Sequence, residues 1–224
     1  MLLASDIDGT IATNGNWFAR WMAREAELDI PEKELAAIRY GYEFWKLSQV
    51  CMLPPEQRAA LKKHAHDHHK DPDHQDNSVP IPGAREALRL LASEGATIIY
   101  TTCRQPESEE RTRAWLTRYD FPCAQQVYLC QHYHWKYIYA HQQAHTQEPV
   151  ILIDDLIEKM VPAFRTLAIQ QREVAISLVR RLALVAIGKK ELPAFKSLPF
   201  KLVALPSWRL EDLEGLTKPA QKAS

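Results

Sequence analysis

Short apolar runs and helix-period stretches take turns along much of this chain. Leu2, Leu3, Ala4 and Ile7 make a run long enough for one buried strand. Residues 97–101, 126–130 and 150–153 repeat that signal, the first rich in β-branched and aromatic side chains. Between them lie helical patterns. Pro82-Gly83 precedes a helix carrying Ala87, Leu88, Leu90 and Leu91, which stops near Gly95. Residues 107–119, with Trp115 and Leu116, and residues 132–145 supply two more. Strand and helix alternating at these lengths predict an α/β fold: a parallel sheet with helices on both faces, joined by right-handed crossovers.

Residues 15–79 interrupt the alternation. Asn14-Gly15 signals a tight turn. Trp17, Phe18, Trp21, Met22 and Leu28 then fall at helical spacing behind Asn16 as N-cap. Pro31 opens a second predicted helix to about residue 47, with Leu35, Ile38, Tyr42 and Trp45 on one face. Pro54-Pro55-Glu56 begins a third, to about residue 69, and the Pro- and Asp-containing stretch 70–82 reads as a loop returning to the main fold. About 65 residues are too many for a bare loop in a compact domain. We therefore expect a small helical domain, 15–79, inserted into a core built from 1–14 and 80–224. Downstream, 160–187 reads as one long helix or two, with Pro162 tolerated near a helix start. Residues 200–205 read as a last strand, 210–213 as a short helix and 217–224 as a frayed tail.

Composition narrows the class. Twenty-eight basic residues balance 28 acidic ones, so the net charge is zero with His neutral. That disfavours a strongly electrostatic nucleic-acid binder and leaves only a local basic groove open. Cys51, Cys103, Cys123 and Cys130 show no C-x-x-C spacing, and they read as reduced thiols of a cytosolic protein. No signal peptide and no apolar run of membrane-spanning length is evident. The stretch holding His64, His66, His68, His69 and His74 lacks the Cys of a structural zinc site and is assigned no site.

Candidate chemistry collects at strand ends, outside which open parallel sheets bind their ligands. The first strand runs out into Asp6-Ile7-Asp8-Gly9-Thr10. Residues two apart on a strand point the same way, so the two carboxylates emerge together and repel unless a cation lies between them. Gly9 permits a sharp exit. The second predicted strand ends in Thr101, Thr102 and Arg104. Lys136 opens the helix before the strand that ends in Asp154-Asp155, and Glu158 follows as an ordinary helix residue.

This series resembles the haloacid dehalogenase (HAD) superfamily: D-x-D-G-T, an apolar strand ending in Thr, a Lys, then an apolar strand ending in Asp-Asp. Arg104 resembles the T-x-R form of the second motif, which puts Thr102 at its key position. Arg111-Thr112 and Trp115-Leu116 are similar to an R-x-x-T-x-x-W-L helix of some HAD phosphatases, including acid phosphatases and polynucleotide 3′-phosphatases. The resemblance covers residues 1–14 and 80–160. It implies a Rossmann-like core with a helical cap between the first and second motifs, and catalysis by Asp6 and Asp8.

The chemistry agrees with what the resemblance implies. A phosphate ester is an anion, so attack on it by a carboxylate needs charge neutralisation, which Mg²⁺ on oxygen ligands provides. Asp6, Asp154, Asp155 and the Asp8 main-chain carbonyl would supply those ligands. Asp6 would form an aspartyl-phosphate, and Asp8 would protonate the leaving oxygen and then activate water. Thr102 and Lys136 would hold the phosphoryl oxygens, with Arg104 as a substrate contact. The expectation is a cytoplasmic Mg²⁺-dependent phosphohydrolase acting on a small phosphorylated substrate. Nucleotides, sugar phosphates and polynucleotide ends all stay open as that substrate, and a phosphotransferase or mutase would share every motif. A dehalogenase would not need Asp8, and a non-enzymatic binding protein would be expected to have lost an essential carboxylate. Oligomeric state is not legible in the sequence.

Overall fold

Leu2, Leu3, Ala4 and Ser5 are all fully buried and form β1 (Leu2–Ser5), the strand on which the main sheet is built. The computed structural model describes residues 1–68, 75–195 and 197–217. The chain divides into two compact units, one made of Met1–Ile11 with Pro80 onward, the other of Ala12–Val79.

In the first unit β1 pairs in parallel with β4 (Thr97–Thr102) on one side and β6 (Val150–Asp154) on the other. Beyond β4 lies β5 (Val127–Leu129); beyond β6 lie β7 (Leu182–Ile187) and β8 (Lys201–Leu205), all parallel. The resulting order, β5-β4-β1-β6-β7-β8, reverses direction at β1. A doubly wound sheet opens its ligand crevice at that reversal, outside the carboxyl ends of the strands. Buried strands covered on both faces need continuous apolar runs rather than alternation, and Val150–Asp154 is buried at every position.

Helices flank the sheet. Leu2, Ala4, Ile99, Leu152 and Leu184 share one core with residues of α8 (Tyr133–Gln143), α9 (Ile157–Gln170) and α10 (Arg172–Val179). Tyr100, alternate to Ile99, faces the other way, and its hydroxyl donates to the Pro122 carbonyl at 2.7 Å. There α6 (Ala84–Ser93) packs against β4 and α7 (Glu109–Arg118) against β5. A last helix, α11 (Leu210–Thr217), ends the described chain, so the expected tail over 217–224 lies almost entirely outside the described residues.

Of the one or two helices expected over 160–187, two form as far as Val179, and the remainder is corrected. Gln171 takes φ −139° and ψ 67°, which ends α9, and Leu182–Ile187 is a strand. Leu-Ala-Leu-Val-Ala-Ile is a short apolar run whose period does not separate strand from buried helix. Pairing with β6 decides it, Leu182 opposite Val150 through Ala186 opposite Asp154.

The second unit is mostly helical: α1 (Gly15–Glu25), α2 (Glu32–Ala37), α3 (Gly41–Phe44), α4 (Ser48–Cys51) and α5 (Pro55–His68). The short strands β2 (Ala12–Thr13) and β3 (Val79–Pro80), where a loop was expected, form a separate two-stranded sheet. Asn14-Gly15 makes no isolated turn, because Gly15 is already helical. A Cβ there would stand 2.1 Å from the Arg39 carbonyl oxygen, so only glycine fits. The single helix expected over 31–47 is two pieces, α2 and α3. Ile38 and Tyr40 are extended, and the Glu43 carboxylate accepts the main-chain N–H groups of Arg39 (2.7 Å) and Tyr40 (3.0 Å), restarting the helix at Gly41. That shift of phase buries Phe44 fully and leaves Tyr42 56% exposed, against the expected face. Of the histidines, His64 stacks on Trp21 at 5.2 Å and faces Glu25 at 3.5 Å. The His66 and His68 side chains, with His69 and His74, lie outside the described residues.

Candidate active site

Two acidic strand ends meet where the sheet reverses. Asp6 follows β1 directly, its N–H bonded to the Ile153 carbonyl at 2.9 Å, and Asp154 closes β6. Their carboxylates and that of Asp155 each offer an oxygen within 4.8 Å of the others. Lys136 reaches between them from the first turn of α8, donating to Asp6 Oδ1 at 2.6 Å and Asp154 Oδ2 at 2.7 Å. Its ammonium is buried with both partners. Burial opposes a charge on Lys136, but Asp154 and Asp6 outweigh it and hold the amine protonated far above its usual range.

Three carboxylates around one ammonium remain under-neutralised. Burial, resisted by Lys136 and reinforced by Asp154, Asp155 and Asp8, pushes Asp6 well above the ordinary aspartate range. Burial and then Asp154 raise Asp155 to about 7. The donors are all oxygens and the excess is negative, which fits a hard divalent cation such as Mg²⁺. The Asp155 shift has a consequence in the metal-free protein. Its folded value exceeds the unfolded one, so the folded chain binds the extra proton and this group loses stability as pH rises from about 4 to about 7. Asp155→Asn should therefore raise the melting temperature of metal-free protein at pH 8 and have little effect at pH 5. Equal shifts at both pH values would refute the buried charge.

Asp8 stands apart from this trio. Its carboxylate is gripped by Arg104, whose Nε and Nη2 donate at 2.8 and 2.6 Å. The repulsion expected between Asp6 and Asp8 is thus met by two cations, one for each. The remaining terminal nitrogen of Arg104, Nη1, donates to Thr112 Oγ1 at 3.1 Å. Thr102, buried at the end of β4, accepts the Arg104 main-chain N–H at 3.3 Å. The site residues read from sequence thus gather at the ends of β1, β4 and β6 and the start of α8. Glu158 lies on α9 beside Lys189 at 3.2 Å and takes no part.

Sequence reading missed several supports. Thr10 Oγ1 lies 3.4 Å from both Asp6 Oδ2 and Asp155 Oδ1, and accepts the Asp155 N–H at 3.2 Å. Gly9, at φ +80°, brings the loop so near that a Cβ would sit 2.5 Å from Asp155 Oδ2. The Thr10 carbonyl accepts the buried Trp208 indole N–H at 2.7 Å, so the segment after β8 anchors the loop after β1. Tyr133 sets its ring 5.5 Å from Lys136 Nζ. Only Gly9 and Thr10 carried a signal, as part of their motif. Trp208→Phe would leave the Thr10 carbonyl unpaired, which costs about 1–3 kcal/mol, and would add a cavity cost where the larger ring was buried. Denaturant unfolding measures this; a loss below about 0.5 kcal/mol, within the range of surface changes, would contradict the anchor.

No protein-family model matches the sequence, and no curated protein matches it either. Solved structures do match. A HAD-superfamily hydrolase from Ehrlichia chaffeensis is 10% identical over 92% of this chain and 91% of its own, with a TM-score of 0.55. A proposed β-phosphoglucomutase from Thermotoga maritima is 16% identical over 96% and 97%, with a TM-score of 0.51. A haloacid dehalogenase-like family hydrolase from Xanthomonas campestris is 12% identical over 93% and 91%, at 0.50. Sheet order defines a Rossmann-like α/β protein with a cluster of acidic strand ends at the switch point. Its fold is that of the haloacid dehalogenase superfamily.

Proposed function

We propose that the protein is a Mg²⁺-dependent phosphohydrolase that cleaves a phosphomonoester through an aspartyl-phosphate on Asp6. The observation that carries this reading is the Asp6–Lys136–Asp154 bridge, with Asp155 alongside, at the reversal point of the sheet. Asp6, Asp154, Asp155 and the Asp8 carbonyl would hold the metal. When bound, it supplies charge neutralisation between the anionic ester and the attacking carboxylate.

The side chains divide the remaining work. An Asp6 oxygen bonds to phosphorus as the ester P–O bond breaks, and Asp8 gives its proton to the departing oxygen. Asp8 then takes a proton from water as that oxygen bonds to phosphorus and the Asp6–phosphorus link opens, releasing inorganic phosphate. Lys136 and Thr102 bind the equatorial oxygens as charge develops on them. None of these residues falls in Ala12–Val79. We assign that unit the role of a cap that selects the substrate, a small phosphorylated molecule.

Among the described residues no helix is long and apolar enough to cross a membrane, and we place the activity in the cytoplasm, on small phosphate esters. The purified protein should hydrolyse an activated aryl phosphate with Mg²⁺ and stop when chelator is added. A panel of nucleotides, sugar phosphates and phosphate-ended oligonucleotides would then name the substrate. Full activity in chelator would overturn the metal. Phosphate appearing on a second hydroxyl instead of in solution would mark a phosphotransferase or mutase.

A further inference from the structure

Arg104 is nearly closed to solvent, with 4% of its side chain exposed, whereas its partner Asp8 is 55% exposed. The guanidinium fork grips both oxygens of that carboxylate from beneath, at 2.8 and 2.6 Å. It is itself held at two further points. Nη1 donates to Thr112 Oγ1 at 3.1 Å, on a threonine fully buried in α7, and the main-chain N–H donates to Thr102 Oγ1 at 3.3 Å. The loop after β1, the end of β4 and α7 therefore meet in one cation. A planar fork fixes both the position and the plane of a carboxylate, which a point-charge ammonium does not. The exposed side of Asp8 stays open for proton traffic.

We propose that Arg104, braced by Thr112, is a positioning residue for Asp8. It acts by holding that carboxylate in one orientation for the two proton transfers, and not by touching substrate. The proposal rests on the acid–base role given to Asp8 above. The guanidinium keeps its own protons throughout; only Asp8, the leaving oxygen and water exchange one.

The test compares an alkyl phosphate, whose leaving group needs a proton, with an activated aryl phosphate, whose leaving group does not. Arg104→Lys keeps the charge and loses the fork. With Mg²⁺ its kcat/KM, which reads the transfer to Asp6, should fall about 10²-fold on the alkyl ester, the scale of one proton transfer, and only several-fold on the aryl ester. Thr112→Val should show the same pattern more weakly, and it carries the comparison if Arg104→Lys does not fold. Added to Asp8→Asn, Arg104→Lys should cost little more, because the group it positions is already disabled. Equal losses on both esters or additive losses in the double variant would each overturn the proposal. Its failure is distinct from failure of the proposed function. In the first case Asp8→Asn still separates the two esters and Arg104→Lys does not; in the second the wild-type protein hydrolyses neither.

Discussion

Asp6→Asn should abolish turnover while leaving the fold intact. Asn has nearly the shape of Asp, and its amide oxygen can still accept from Lys136, so packing at the end of β1 is kept. Burial already disfavours a charge at this position, so the metal-free variant should unfold at no lower denaturant concentration than wild type. What it lacks is a nucleophilic carboxylate and one oxygen anion of the metal set. Loss of the attacking group lowers kcat by about 10⁴-fold or more. The direct measurement is an acid-quenched mixture of protein, Mg²⁺ and labelled substrate. Wild type should yield a phosphoprotein that hydroxylamine cleaves, and Asp6→Asn should yield none. A variant within tenfold of wild-type kcat, or one still forming that adduct, would remove Asp6 from its assigned role.

Lys136→Met should do comparable damage to stability. The substitution retains most of the buried aliphatic length and removes the charge that bridges Asp6 and Asp154. Stripping one partner from a buried ion pair costs about 3–5 kcal/mol, because the remaining charges lose their compensation. The sign with pH follows from the carboxylates. Without the ammonium the Asp6 value, already raised by burial, rises further above the unfolded one, so the folded variant takes up a proton as pH falls and recovers stability. Denaturant unfolding at pH 8 and pH 5.5 should therefore show a larger deficit at pH 8, partly restored there by Mg²⁺. An equal deficit at both pH values would mean that lost packing, and not charge, holds this junction together.

The parts of the molecule legible in the sequence are those whose cause is local. Asp6 and Asp8, Thr102, and Asp154-Asp155 could be found because each sits directly after an apolar run, and the end of a buried strand is where a parallel sheet exposes its chemistry. What was not legible depends on pairing across distance. Lys136 announced itself as one lysine in an aromatic helix, and nothing near it shows that its two partners lie 130 and 18 residues away. Arg104 gave no sign that it would grip Asp8, 96 residues earlier. Leu182–Ile187 carried no period to separate strand from helix, and only the free edge of β6 settled it. Residues 31–47 failed differently. Their apolar spacing was read as continuous, while Glu43 reached back to two N–H groups and reset the phase, a side-chain effect that hydrophobic periodicity does not contain.

The bond from Trp208 to the Thr10 carbonyl also sets an order of events during synthesis. The loop that carries Asp6 and Asp8 leaves the ribosome 198 residues ahead of the indole that pins it. At about 5–20 residues per second that interval is about 10–40 s. Through it the two acids of the first loop exist without their anchor, and Lys136 and Asp155 arrive only partway along. A chain cut short before Trp208 would carry every motif and lack the bond that anchors the loop after β1.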